Sequence, residues 1–302
     1  MLLVALLGTS IFFSCISVDE NEKEPKAWKA EHVIFIGLDG WGSYSVENGD
    51  MPNIKTLMES GSYTLQKRTV LPSSSAVNWA SMWMGAGPEL HGYTTWGSQK
   101  PDLPPRELNH NGMFPNIFTM LRDAAPDAEI GMFYEWGGIK YLVDTLSLNH
   151  YAKASTENGN LELRDMAVKY ITEKKPTFIG IIYDSPDDVG HGVGHDTPEY
   201  YEKMKELDGH VGEFIAAARG AGIYDNTIFI VTSDHGGIDK GHGGIKLEEM
   251  ETPFIIAGKG IKQGGEFSES MMQYDVAPTI AEIFGLEVPQ VWVGRSMSQV
   301  FN

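Results

Sequence analysis

Three apolar runs in this chain stop abruptly at side chains that are costly to place inside a protein core. Val33–Gly37 (VIFIG) leads through Leu38 into Asp39-Gly40. Thr177–Tyr183 ends at Asp184-Ser185-Pro186-Asp187, with His191 four residues beyond Asp187. Thr227–Thr232 ends at Ser233-Asp234-His235-Gly236. Unbroken apolar runs of this length read as parallel strands covered on both faces. A carboxylate or imidazole directly after such a strand costs several kcal/mol unless a partner offsets it. One such residue is commonly a cap or a loop contact. Three in one chain, two of them with a nearby histidine, point to a shared site, because ligands of open parallel sheets gather at the carboxyl ends of strands.

The segments between these runs carry helical spacing: Asn53–Ser60, Ala76–Met84, Asn116–Ala125, Glu162–Lys174, Pro198–Ala221 and Ala277–Phe284. Ile130–Tyr134 and Pro253–Ala257 read as further strands, and Arg68 is placed on a strand before the serines 73–75. Those three serines precede Ala76–Met84, whose start is expected to be capped by their hydroxyls. The alternation predicts an α/β domain with a mostly parallel central sheet sandwiched by helices. The irregular stretch from Tyr93 to Met113 predicts a small loop-rich cap, since long loops in compact domains are usually functional. With 302 residues and 42% hydrophobic content, a single domain over residues 31–302 has enough material for a full core. No internal repeat is visible.

The first fifteen residues, MLLVALLGTSIFFSC, hold no charge and are too short to span a bilayer, which needs roughly 20 residues. They read as a secretory segment. It ends at Cys15, the only cysteine, followed by a polar, acidic stretch over 16–30 that reads as a tether. The arrangement resembles a bacterial lipoprotein signal. The expectation is an exported protein, periplasmic or on the outer surface of a bacterium, touching membrane only through a lipid on Cys15. A cleaved secretory signal and a buried apolar segment are the alternatives. Beyond Cys15 there is no thiol, so a metal must be held by imidazole and carboxylate.

A net charge of -18 argues against binding to nucleic-acid polymers, which requires basic patches. Bound cations would consume part of the carboxylate excess. Hard oxygen plus imidazole, without thiolate, suits zinc or manganese. Asp187 and His191 are spaced so that one helical turn or a tight loop aims both at one ion. His242 stands in Lys240-Gly241-His242-Gly243-Gly244, where glycines allow close backbone approach. A nucleophile belongs at a helix start, where backbone N–H groups converge, and Pro72-Ser73-Ser74-Ser75-Ala76-Val77-Asn78 provides one. A serine hydroxyl is inert at its ordinary pKa but becomes reactive when coordinated. Asn78, one turn later, is positioned to donate its amide to a phosphoryl oxygen.

Taken in order, GLDG, PSSSAVNWASMWMGAGPELHG, PDDVGH, SDHGG and GHGG resemble the alkaline phosphatase superfamily, within it the nucleotide pyrophosphatase/phosphodiesterase branch. The likeness covers roughly residues 32–92 and 178–286. It implies an alkaline-phosphatase-like fold and two divalent metal ions. One is held by Asp39, Ser75, Asp234 and His235, the other by Asp187, His191 and His242. It also implies Ser75 as nucleophile, Asn78 as phosphate-binding residue, and a phosphoserine intermediate on a small phosphoric ester. Two positions depart from that branch: serine replaces the usual threonine nucleophile, and Ala76 stands where an aromatic residue would stack on a base. Trp79, Trp96, Tyr134 and Trp136 are the remaining candidates for a stacking face.

A phosphomonoesterase with the same machinery is the nearest alternative, although no extra cation is evident near Ser75. A phosphomutase needs a larger cap. A sulfatase needs a C/S-x-P-x-R signature, which Ser75-Ala76-Val77-Asn78-Trp79 lacks. The alternative of a different class is a non-catalytic metal-binding surface lipoprotein. Asp184 and Asp188 compete with Asp187 as ligand, and His195 is placed behind the ligands or against substrate. Lys140 is a candidate to neutralise a phosphate oxygen. His91 reads as a turn residue, and His32, His110, His150 and His210 as surface or loop residues.

Overall fold

The structure, a computed structural model, describes residues 27–155 and 159–302. Its centre is an eight-stranded sheet. In chain order the strands are β1 (His32–Leu38), β2 (Ser62–Arg68), β3 (Ile130–Tyr134), β4 (His150–Lys153), β5 (Phe178–Tyr183), β6 (Thr227–Thr232), β7 (Glu251–Gly258) and β8 (Gly265–Glu266). Their spatial order is β4-β3-β5-β1-β6-β7-β2-β8, with β7 alone antiparallel to its neighbours. The three motif-bearing runs are therefore adjacent, β1 lying between β5 and β6, so their carboxyl ends open onto one place.

Alternation along β1 divides the core into two layers. Val33 and Phe35 join the helices Ser75–Met84, Ile117–Ala124 and Val276–Ile283 on one face. Ile34 and Ile36 join Pro52–Ser60, Gly159–Lys174 and Pro198–Gly220 on the other. Each apolar side chain buried this way is stabilised by about 1.5–3 kcal/mol relative to exposure. Gly37 is required where Trp79 crosses β1, because a Cβ there would lie 2.3 Å from the indole. No helix among the described residues is long and apolar enough to cross a membrane.

The helix Pro52–Ser60 starts without a side-chain cap of its own. Asp208, buried on the long helix Pro198–Gly220, supplies one. Its carboxylate accepts from the backbone N–H of Asn53 (3.1 Å) and Ile54 (2.7 Å) and from the Asn53 amide (2.9 Å). Asp208→Ala should lower unfolding stability by about 2 kcal/mol, since buried donors lose a charged acceptor. An unchanged urea midpoint would show that this cross-helix cap contributes nothing.

Several expectations are corrected here. The segment expected as a tether ends early: Lys29 N–H donates to Ile283 O (2.7 Å), Ala30 is buried, and Trp28 packs edge-on against Phe284. Residues 1–26, with the Cys15 anchor and the rest of the tether, lie outside the described residues. The serine hydroxyls do not cap the helix that follows them. Ser74 occupies the cap position with extended backbone, yet its Oγ has no hydrogen-bond partner, and Ser73 Oγ donates to Gly244 O. His210 is buried against the Tyr183 hydroxyl (3.1 Å) rather than on the surface.

Candidate active site

Asp39 leaves the end of β1 and is 2% exposed; Asp234 and His235 leave β6 and are fully buried. These three side chains bring ligand atoms within 4.8 Å of one another. His235 Nε2 lies 3.3 Å from both Asp39 Oδ1 and Asp234 Oδ2. A second triplet, Asp187, His191 and His242, meets the same criterion. Asp187 and His191 share the short helix Asp187–Val193, with His191 Nε2 3.1 Å from Asp187 Oδ2. The triplets adjoin, since the His235 and His242 rings stack at 3.7 Å and Asp187 N–H donates to Asp39 O (3.0 Å). Gly40 permits this approach: its φ is +71°, and a Cβ would lie 2.6 Å from the Asp187 side chain.

The electrostatics of these residues ask for cations. Asp39 Oδ1 and Asp234 Oδ2 are buried without a hydrogen-bond partner. Burial, with Asp234 and Asp187 nearby, holds the Asp39 carboxyl well above its usual range. Burial and the charge of Asp187 push Asp234 up to about 7. Burial also acts on Asp187, but hydrogen bonds from His191 and His195 outweigh it and hold that carboxyl low. The Asp187 contact lifts His191 to about 9, whereas burial lowers His242 to about 4. Two orphaned carboxylate oxygens beside stacked neutral imidazoles form a donor set that fits divalent metal.

Ser75 is the first residue of its helix, and its Oγ lies 3.2 Å from His235 Nε2. It faces a cavity of about 700 Å³ lined also by Trp96, Trp136, Asp184, Asp187, Asp188, His191 and His242. All six expected carboxylate and imidazole ligands and Ser75 thus converge. Asn78 does not join them. It is fully buried, its Nδ2 donates to Ser74 O, Pro72 O and Val70 O, and its Oδ1 accepts from Val70 N–H. Its amide shapes the turn before Ser75, and no proton is left over for a phosphoryl oxygen.

Of the four aromatic candidates, Trp96 and Trp136 line the cavity, whereas Tyr134 and Trp79 are buried. Trp79 has another task, donating from Nε1 to Asp39 Oδ2 (3.1 Å) and orienting that carboxylate. Lys140 lies over the Tyr141 ring in a neighbouring recess. Lys67 was not legible as a site residue. It is wholly buried, donating to Ser233 O (2.7 Å) and to the Gln273 side chain, which in turn donates to Asp234 O. An alternating strand SYTLQKR gives no sign that its lysine points inward.

His195 sits behind the second triplet, 5% exposed, with Nε2 3.2 Å from Asp187 Oδ1. Its only sequence signal is its place four residues after His191. His195→Ala should weaken the affinity of this triplet for a divalent ion about 10–100-fold, as loss of a partner that orients a coordinating side chain does. Competition with a chromophoric chelator measures this, and an unaltered Kd would remove the residue from that role.

A family model, type I phosphodiesterase / nucleotide pyrophosphatase, matches residues 33–116 and 128–254. The chain belongs to this family. A bovine bis(5'-adenosyl)-triphosphatase, ENPP4, is 20% identical over 243 residues, 78% of this chain and 52% of that protein. Zebrafish (Danio rerio) arylsulfatase K is 36% identical over 96 residues, 30% of this chain and 18% of that protein. The chain thus spans about half the length, or less, of the curated relatives it matches. Murine ectonucleotide pyrophosphatase / phosphodiesterase 5, solved as an inactive variant with AMP, superposes with a TM-score of 0.74. It shares 15% identity, over 90% of this chain and all of that one. A 2-O GAG sulfatase gives 0.72 at 17% identity, over 90% and 74%. These likenesses show a fold shared with phosphodiesterase and sulfatase structures.

Proposed function

We propose that the chain hydrolyses small phosphoric diesters through a phosphoserine on Ser75. One observation carries the reading: two metal-type donor triplets lie side by side, one with His235 against the Ser75 hydroxyl and the other lining the cavity that Ser75 also lines. Asp39, Asp234 and His235 would hold one divalent ion, zinc or manganese, and Asp187, His191 and His242 the other. Two such ions, when bound, acidify the serine hydroxyl and neutralise charge on the phosphoryl oxygens. Ser75 Oγ then bonds to phosphorus as one ester oxygen departs with the bonding pair and takes a proton. Water cleaves the phosphoserine in the second half and restores the hydroxyl. The amino end of the Ser75–Met84 helix favours the anionic group. Trp79 and His195 keep the two aspartates in place.

The lining of the cavity favours the diester over the monoester. It contains neither lysine nor arginine to meet a second phosphate charge, and Asp184 and Asp188 add negative potential. The zinc-loaded protein should therefore hydrolyse bis(4-nitrophenyl) phosphate with kcat/KM at least about tenfold above 4-nitrophenyl phosphate, a difference of about 1.4 kcal/mol. 4-Nitrophenyl sulfate should be left intact, because the residues after Ser75 lack the sulfatase signature. A preference for the monoester would overturn the diesterase reading and favour the phosphatase alternative.

A further inference from the structure

Each imidazole of the two triplets has its Nδ1 against a main-chain carbonyl: His235 on Gly236 O (2.8 Å), His191 on Lys240 O (2.9 Å) and His242 on Ser73 O (2.9 Å). A carbonyl only accepts, so each ring carries its proton on Nδ1 and presents the Nε2 lone pair to its triplet. Gly236 and Lys240 stand in the same stretch of chain as His235 and His242 themselves. Ser73 does not: it belongs to the turn that leads into Ser75. Ser73 is wholly buried and grips the His242 loop twice more, its Oγ donating to Gly244 O (2.8 Å) and accepting from Gly243 N–H (3.1 Å). The loop it grips is loosely surrounded. A Cβ on Gly241 or Gly243 would meet nothing within 4 Å, and Ile245 is 75% exposed. From the other side, Gly244 N–H donates to the Glu249 carboxylate (2.8 Å), which ties the loop to the helix that follows it.

We propose that Ser73 is the positioning residue of the second triplet: it fastens His242 to the turn carrying the Ser75 hydroxyl, and an ion binds there at full strength only while that fastening holds. The inference rests on the reading of the triplets as metal sites and adds to it a residue outside both. Without the Ser73 hydroxyl, the ring keeps one bond to the turn while Gly243 N–H and Gly244 O lose theirs. The Nε2 of His242, now 3.8 Å from Asp187 Oδ2, is then free to swing with its glycines. The first of the three serines thus has a task other than capping the helix.

The test is zinc binding to the full chain, with competition by a chromophoric chelator resolving two steps. Ser73→Ala should weaken one step about 10–100-fold, as loss of a partner that orients a coordinating side chain does. It should be the step that His242→Ala also weakens, and the other should stay within about twofold of the parent. Because Ser73 acts through His242, adding Ser73→Ala to His242→Ala should change neither step by more than about twofold. Two unaltered steps in Ser73→Ala overturn the inference and leave the metal reading intact. A parent that binds no zinc overturns both. Equal weakening of both steps, with a lower Tm, assigns Ser73 to packing alone and overturns its link to His242. Fully additive losses in the double variant overturn that link as well.

Discussion

Replacing Ser75 with alanine should reduce diester hydrolysis on the order of 10,000-fold. The side chain removed is small, stands at a helix start, and has His235 Nε2 as its hydrogen-bond neighbour. Three carboxylates and three imidazoles remain to hold metal beside it, so metal content should stay near two equivalents by elemental analysis. The loss should appear in kcat, with no burst of nitrophenol in rapid mixing, because no phosphoenzyme accumulates. Ser75→Thr should retain a large part of the rate, since it keeps the hydroxyl at the same atom. Hydrolysis by the alanine variant at the wild-type rate would refute the nucleophile and require direct attack by water.

Removal of metal should have the second largest effect, on stability as well as turnover. Asp39 and Asp234 are buried with unpartnered oxygens, so without metal the two carboxyl groups crowd one another with only His235 beside them. Zinc at 100 times its Kd should stabilise the fold by about 2.7 kcal/mol. For a domain of this size that corresponds to a rise in Tm of roughly 5–10 °C. Asp234→Asn separates the causes: it removes one of the opposed charges, so the metal-free variant should be at least as stable as the metal-free parent while losing most of the zinc response. If chelation alters neither Tm nor activity, the two triplets are not metal sites.

The parts of this site visible in the sequence are those in which an apolar run meets a polar terminus. β1, β5 and β6 are buried along nearly their whole length, so their composition declares the parallel sheet and their last residues declare the ligands. What was not legible depends on tertiary partners. β2 turns Ser62, Thr64 and Lys67 inward, Ser62 and Lys67 donating to loop carbonyls and Thr64 Oγ1 accepting from Gln66 N–H, while Tyr63 and Leu65 are less buried. Its pattern therefore reads inverted. β4 is a four-residue edge strand, mostly exposed, with little apolar signal to find. Asn78 stands in a family-like motif, but only coordinates reveal that the preceding turn consumes its amide. His242 was recognisable as a candidate ligand from its glycines, whereas the buried position of His195 required the fold to bring it against Asp187.

The helix Ser75–Met84 begins with the proposed nucleophile and, one turn on, carries the indole that hydrogen-bonds Asp39. The Ser75 hydroxyl and the Asp39 carboxylate are thereby referenced to a single rigid rod. Repacking beneath that rod, at Phe118 against Trp83 for instance, would move Ser75 and Trp79 together. The reacting geometry is in this way insulated from gradual repacking of the interior. A change at Trp79 alone would unlink the pair, leaving a folded protein whose Ser75 hydroxyl and Asp39 carboxylate no longer keep a common distance.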